Sequence, residues 1–452
     1  MDFSYELGTK GNGGVDFGDK RRKNRLIKLV SDLSQASRKS IPQVSQGWAE
    51  TKAAYRFLGN EAVSWQEILS GHSQSTIERA QKEKIILGLQ DTTELDFSSH
   101  PSAVGLGRLN YDARKGMYLH PTLWTTPEGY VLGAMDAWMW ARSTKGEEEF
   151  KESIRWIEGY QRVAEMAEQL PESKLVYVAD REGDLRELME AARTANYAAD
   201  FLLRAKHNRK LDKSEEKCWE QVERSGAIGK VEFTLPSSGK RKSRKVCQTL
   251  YVKRITLAGK NPIEVTAILA KEENPPANTK AIEWKLLTNR RANTLEEVVE
   301  LIDWYRRRWQ IEIFFRVLKS GCKAESMQLA EIKRIEKLLV IYMIIAWRIL
   351  YLVTMGKECP DLPCDVIFDK EEWTTAWLVS KQEKPPEKPP KLGEIVRIIA
   401  IFGGFLDRKG DSSPGKKLFG KEWRWFVIML LVWRLPRQFL NLEFELWVIV
   451  CI

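Results

Sequence analysis

Cysteine is scarce in this chain: six in 452 residues, at Cys218, Cys247, Cys322, Cys359, Cys364 and Cys451. That excludes a disulfide scaffold and suits a reducing compartment. Cys359 and Cys364 stand five apart with no His or further Cys beside them, so a zinc site is not expected. The N-terminal MDFSYELGTKGNGG has no basic stretch leading into an apolar one, and no secretory leader is expected. Long apolar runs are also few. The most apolar stretch, Leu338 to Gly356, carries Arg348 at its centre. A bilayer disfavours that charge, so the stretch reads as a buried helix and no membrane contact is expected. No internal repeat recurs along the chain.

What is abundant is positive charge. Lys and Arg number 72 against 62 Asp and Glu, a net of +10, which is compatible with a polyanionic partner. The surplus has two addresses. KRRKNRLIK (Lys20 to Lys28) holds six basic residues and no acid. Leu26, Leu29, Val30 and Leu33 recur at helical spacing there, so a helix with one apolar and one basic face is expected, capped by Asp19. Arg204 to Arg254 holds 15 Lys and Arg against 6 acids, a surplus of 15 − 6 = 9.

Periodicity divides the chain. Residues 1–70 read as a small helical unit, with helical patterns at about 21–35, 50–58 and from 64 to 79. From Lys84 the pattern is IILGLQD, then YLHPTLWTT and YVLGAMDAWMW around a Pro-Glu-Gly turn, a helix at about 147–169, KLVYVAD, a helix start and DFLLRA. This predicts an α/β mixed sheet of three antiparallel strands extended by parallel ones. A β-rich insertion is expected at 206–290, long helices at about 294–317 and 331–355, and a charged Pro-rich linker at 381–391. The implied domains are 1–70, a catalytic domain 71–375 and a C-terminal region 376–452.

Asp91 and Asp180 each end an apolar strand. If those strands are parallel neighbours, both carboxylates emerge at one sheet edge, where α/β folds place ligands. In DWYRRRWQIEIFFRVLK, Tyr305, Arg308, Glu312 and Lys319 fall within an arc of about 60° on an ideal helix. Three carboxylates suit hard cations such as Mg²⁺, two of which can clamp an in-line phosphoryl displacement. The neighbouring cations suit a phosphodiester backbone.

These residues resemble those of the IS-four family of bacterial DDE transposases. Its Tyr-x2-Arg-x3-Glu-x6-Lys signature (the YREK type) is matched by Tyr305, Arg308, Glu312 and Lys319. GDKRRKNRL (18–26) and AYRF (54–57) resemble the family's end-recognition unit. QDTT (90–93) and DRE (180–182) resemble the segments of the two catalytic Asp residues. RAKH (204–207) resembles a DNA-contacting stretch, and GGFLD (403–407) a dimer-forming region. The resemblance implies an RNase H-like core with a β-rich insertion, between a helical N-terminal DNA-binding domain and a helical C-terminal dimerisation region.

The resemblance also implies a function: binding of an element's terminal inverted repeats as a homodimer, cleavage of both strands through a hairpin, and joining of the 3′-hydroxyl ends to target DNA. Asp91, Asp180 and Glu312 would hold two Mg²⁺ ions, with Mn²⁺ able to substitute. Arg21, Arg22, Arg25, Arg204, Lys206, Tyr305, Arg308 and Lys319 would contact double-stranded DNA. Trp284, 21 residues before Tyr305, would stack on a flipped base. The expected location is the bacterial cytoplasm, at the nucleoid. His120 lies on a core-type strand and reads as structural. From about residue 422 the sequence departs from the family in an apolar tail, with Trp425 to Trp433 an unbroken apolar run, as a shifted reading frame of a degraded copy would give. Two other readings are a silent DNA-binding inhibitor from such a copy and a stand-alone metal-dependent nuclease.

Overall fold

A computed structural model describes residues 14–402 apart from 36–38, 101, 112, 143–150, 236–242 and 278. The apolar tail, the GGFLD segment and the centre of the basic run at 239–242 lie outside the described residues.

The described residues open with α1 (Lys20–Gln35), α2 (Ile41–Val44), α3 (Trp48–Leu58) and α4 (Trp65–Ala80). In α1 the expected apolar stripe is fully buried: Leu26, Leu29, Val30 and Leu33 are at most 3 % exposed. Each such side chain contributes about 1.5–3 kcal/mol. Asp19 caps the helix, its Oδ1 accepting the Arg21 N–H at 2.8 Å. α4 starts at a capping box, with the Ser64 hydroxyl accepting the Glu67 N–H at 3.1 Å and Glu67 accepting the Ser64 N–H at 2.6 Å. It packs against a strand and a long helix of the core rather than only within the N-terminal unit.

Among the described residues eleven strands form one sheet: β1 (Ile85–Gln90), β2 (Thr93–Asp96), β3 (Gly107–Arg108), β4 (Lys115–Thr125), β5 (Val131–Trp140), β6 (Lys174–Ala179), β7 (Asp200–Arg204), β8 (Ala227–Leu235), β9 (Arg244–Leu257), β10 (Ile263–Glu272) and β11 (Glu283–Thr288). Its core runs β5-β4-β1-β6-β7, antiparallel at β5-β4-β1 and parallel at β1-β6-β7. This is the RNase H-like order, as expected. The insertion is not a separate layer. β11 pairs antiparallel with β7, so the sheet runs on through β11-β10-β9-β8. β2 continues β1 along β4 in unbroken register, Gln90 opposite Thr122 and Thr93 opposite Leu119. That register puts Asp91 opposite Pro121, which has no N–H to complete the ladder. The strand opens at this point.

Crossovers α5 (Ile154–Ala167) and α6 (Arg186–Thr194) connect the parallel strands, and α7 (Cys218–Arg224) lies in the insertion. After the sheet come α8 (Leu295–Arg307), α9 (Trp309–Arg316), α10 (Ile332–Glu358), α11 (Lys370–Lys381) and α12 (Leu392–Phe402). The expected single helix over 294–317 is therefore two. Its start is as the sequence suggests, Thr294 and Glu297 forming a capping box. The break comes where the Arg308 N–H reaches only three residues back, to the Tyr305 carbonyl at 3.0 Å. α9 then passes into a π-helical turn, Val317–Gly321. α10 is apolar enough to cross a membrane, but its apolar face is buried in the core and Arg348 donates to the Ile367 carbonyl at 3.3 Å.

Candidate active site

Asp91 follows β1 and Asp180 follows β6. These strands pair in parallel, Leu89 beside Val178, so both carboxylates emerge at the same edge of the sheet. Each is oriented by a backbone amide of its own loop. Asp91 Oδ1 accepts the Thr92 N–H at 2.8 Å, and Asp180 Oδ1 accepts the Glu182 N–H at 2.9 Å. Glu312 comes to this edge from the first turn of α9.

Arg308 joins the third carboxylate to the first. One guanidinium nitrogen donates to Asp91 Oδ2 at 2.8 Å, and another donates to Glu312 Oε1. Burial pushes the Asp91 carboxyl up to about 7. Arg308 works against that rise, while the charges of Asp180 and Glu312 add to it. Burial also opposes the charge of Arg308, but Tyr305, Asp91 and Glu312 more than offset it and hold the guanidinium charged.

Tyr305 lies one turn before Arg308 and is only 4 % exposed. Burial raises the pKa of its hydroxyl, while the neighbouring guanidinium groups of Arg308 and Arg204, by charge and by hydrogen bonding, lower it. The Trp284 ring stands edge-on to it at 6.3 Å and is stacked on Phe233 at 5.6 Å. Arg204, at the end of β7, pairs in register with Leu286, two residues from Trp284 on the neighbouring strand. The Lys206 and His207 amides are fixed by the buried carboxylate of Asp184, at 2.7 and 3.0 Å.

Lys319 lies beyond α9, in the π-helical turn Val317–Gly321. A π-helical turn advances the chain differently from the 3.6-residue α-turn, and Lys319 pairs with Glu325 at 3.7 Å. Hydrogen bonds from Ser98 lower the Asp96 carboxyl, and the charges of Arg114 and Lys319 add smaller contributions. Of the α1 cations, Arg21 is 91 % exposed and paired with Asp19, Arg22 donates to the Phe17 carbonyl, and Arg25 is half-buried. Much of the insertion's positive charge meets acids: Arg209 with Asp184, Lys230 with Glu273, Arg244 with Glu272 and Arg254 with Glu264.

Behind the carboxylates lies a buried polar network. Gln90 Oε1 accepts the Tyr177 hydroxyl at 2.7 Å and the His120 Nε2–H at 3.1 Å. His120 Nδ1 in turn accepts the Thr92 hydroxyl at 3.0 Å. Burial, with a smaller contribution from Arg155, holds His120 well below its ordinary value and so neutral. His120 is therefore a positioned core histidine, as expected. Arg155 completes the network at Thr92. The sequence signal was faint: polar residues inside apolar strands, at Gln90, His120 and Thr122.

Residues 9–63 match the family Transposase DNA-binding, residues 158–348 the family Transposase DDE domain, and residues 344–435 the family Transposase Tn5 dimerisation domain. These three matches are those of a Tn5-like DDE transposase. The chain is a DNA-cleaving and strand-transferring enzyme whose partners are DNA and a second copy of itself. It acts on DNA and so works inside the cell. Among solved structures it is similar to the piggyBac transposase synaptic complex with hairpin DNA, at 9% identity and a TM-score of 0.37, over 91% of this chain and 79% of that one.

A DDE domain depends on divalent metal ions. The donors here fit such an ion by type, since three carboxylates share one sheet edge and burden one another's charge. Among the described residues, however, no three His, Cys, Asp or Glu side chains are gathered tightly enough to enclose an ion. The positive charge between Asp91 and Glu312 is that of Arg308.

Proposed function

We propose that Asp91, Asp180 and Glu312 are the catalytic carboxylates of a cut-and-paste transposase of the YREK type, and that they hold two Mg²⁺ ions, for which Mn²⁺ can substitute. The observation that carries this reading is the parallel β1–β6 pair, which delivers Asp91 and Asp180 to one edge, with Glu312 linked to Asp91 through Arg308. When bound, the ions supply positive charge to the attacking and leaving oxygens of an in-line displacement.

The chain's own residues do the rest. The Thr92 and Glu182 amides fix the two Asp carboxylates before substrate arrives. Arg308 shares its single positive charge between Asp91 and Glu312 in the absence of DNA, and it turns to a phosphate once their charge is met otherwise. The Tyr305 hydroxyl, buried beside the guanidinium groups of Arg308 and Arg204, adds a further donor to a group of cations suited to a DNA phosphate. Trp284 offers an aromatic face to a flipped base. Arg204 and Lys206 border that face, and Lys319 grips the backbone further along. Arg21, Arg22 and Arg25 of α1 hold the inverted repeat in a domain of about residues 1–70, ahead of a catalytic domain 71–375 and a dimerising region 376–452.

A water attacks the terminal phosphodiester and frees a 3′-hydroxyl. That hydroxyl attacks the opposite strand to give a hairpin, a second water opens it, and the 3′-hydroxyl then joins target DNA, within the bacterial nucleoid. A strand-transfer assay with the inverted repeats that flank the coding sequence tests the reading. Joined products are expected. Binding without nicking would instead indicate a silent inhibitor, and nicking without joining a nuclease.

A further inference from the structure

We propose that Arg155 is a positioning residue that fixes the spacing of Asp91 and Asp180 by gripping the two residues whose amides orient them. The inference rests on the carboxylate assignment above. Arg155 sits in the first turn of α5, the helix that packs across β1 and β6. Its Nε donates to the Thr92 hydroxyl at 3.3 Å, and one Nη donates to Glu182 Oε2 at 3.1 Å. The other Nη donates to the Glu152 carbonyl. Thr92 and Glu182 are the same two residues whose N–H groups hold Asp91 Oδ1 and Asp180 Oδ1. One planar guanidinium therefore spans the two catalytic loops, its plane held 4.9 Å from the Trp140 ring centre.

Stability alone does not account for this arrangement. The Arg155 side chain is 8 % exposed, whereas its carboxylate partner Glu182 is 61 % exposed. Burying a guanidinium against a solvated carboxylate recovers little of its desolvation cost. A geometric role does account for it. Two like-charged carboxylates drift apart unless their loops are tied, and the fork of Arg is a rigid tie where the single ammonium of Lys is not. The same bond enters the buried network. Arg155 occupies the Thr92 oxygen as donor, so the Thr92 proton points to His120 Nδ1, and His120 Nε2–H points to Gln90.

The test uses the full chain on a duplex carrying its flanking inverted repeat. Glu182→Gln keeps the shape of an exposed side chain, and Arg155→Lys removes the fork. Mn²⁺ bound to the protein–DNA complex is measured by electron paramagnetic resonance, and first-strand nicking is titrated with Mg²⁺. Both variants are expected to lose on the order of ten-fold in Mn²⁺ affinity, with a matching rise in the Mg²⁺ needed for half-maximal nicking. Thermal unfolding and duplex affinity of Glu182→Gln stay at the parental values. If Arg155→Lys fails to fold, Glu182→Gln decides. Asp91→Asn and Asp180→Asn are the controls. Parental Mn²⁺ binding in those controls would overturn the carboxylate assignment and this proposal with it. Loss of binding in the controls, with parental binding in Glu182→Gln and Arg155→Lys, would overturn this proposal alone.

Discussion

Replacing Asp91 with Asn should stabilise the metal-free protein at alkaline pH while destroying its chemistry. In the folded chain burial pushes the Asp91 carboxyl up to about 7, against an ordinary 3.8. Between those values the folded state keeps a proton that the unfolded state has released. Folded protein then binds more protons than unfolded, so stability falls as pH rises from about 4 through about 7. Each ten-fold displacement corresponds to about 1.4 kcal/mol, which sets an upper limit on the order of 4 kcal/mol. The side chain is 19 % exposed and solvent relaxation recovers part of this, leaving on the order of 2 kcal/mol. Asn has the same shape and no charge, so Asp91→Asn should lack this part of the pH dependence. Urea unfolding with a chelator present, at pH 5 and pH 8, measures it. The two proteins should be similar at pH 5, and the variant should be the more stable at pH 8. If the parent–variant difference does not change with pH, the electrostatic account of this edge is wrong.

Three further outcomes follow from the same geometry. Arg308→Lys can satisfy only one of Asp91 and Glu312. Losing a charge-assisted bond of about 1.5–3 kcal/mol should slow nicking ten-fold or more, and Lys319→Ala should do less, because Lys319 lies beside Glu325. Trp284→Ala should impair hairpin formation more than first-strand nicking, read on a denaturing gel, with Trp284→Phe closer to the parent. Arg21→Ala should weaken duplex binding and reduce the slope of log affinity against log salt by about 1, and an unchanged slope would remove Arg21 from the DNA-binding surface.

Local apolar pattern made much of this fold legible. IILGLQ and KLVYVA each bury almost every residue and stop at an acid, and a short run of that kind is a core strand. The α1 stripe was legible for the same reason. The sheet's continuation through β7 and β11 was not, because strand partners about eighty residues apart leave no local trace. The break between α8 and α9 was equally hidden: no Pro or Gly marks residues 305–311, and the π-helical turn that carries Lys319 gives no periodic signal. α4 continues the helical rhythm of the N-terminal unit, and only its tertiary packing shows that it lies on the core. At the candidate site, acids ending strands stood out. Arg155 did not, because a basic residue in an amphipathic helix looks like part of a solvated face until its partners are known. Pro121 was visible all along, but its meaning depends on the register that sets it opposite Asp91.

The most direct test of the central claim is first-strand nicking by Glu312→Gln, assayed with Mg²⁺ on the flanking inverted repeat, beside a gel-shift titration of the same duplex. The account predicts that nicking disappears while duplex affinity stays within about two-fold of the parent, because Glu312 serves the reacting phosphate and α1 serves the duplex. A Glu312→Gln protein that binds and still nicks at the parental rate would contradict it.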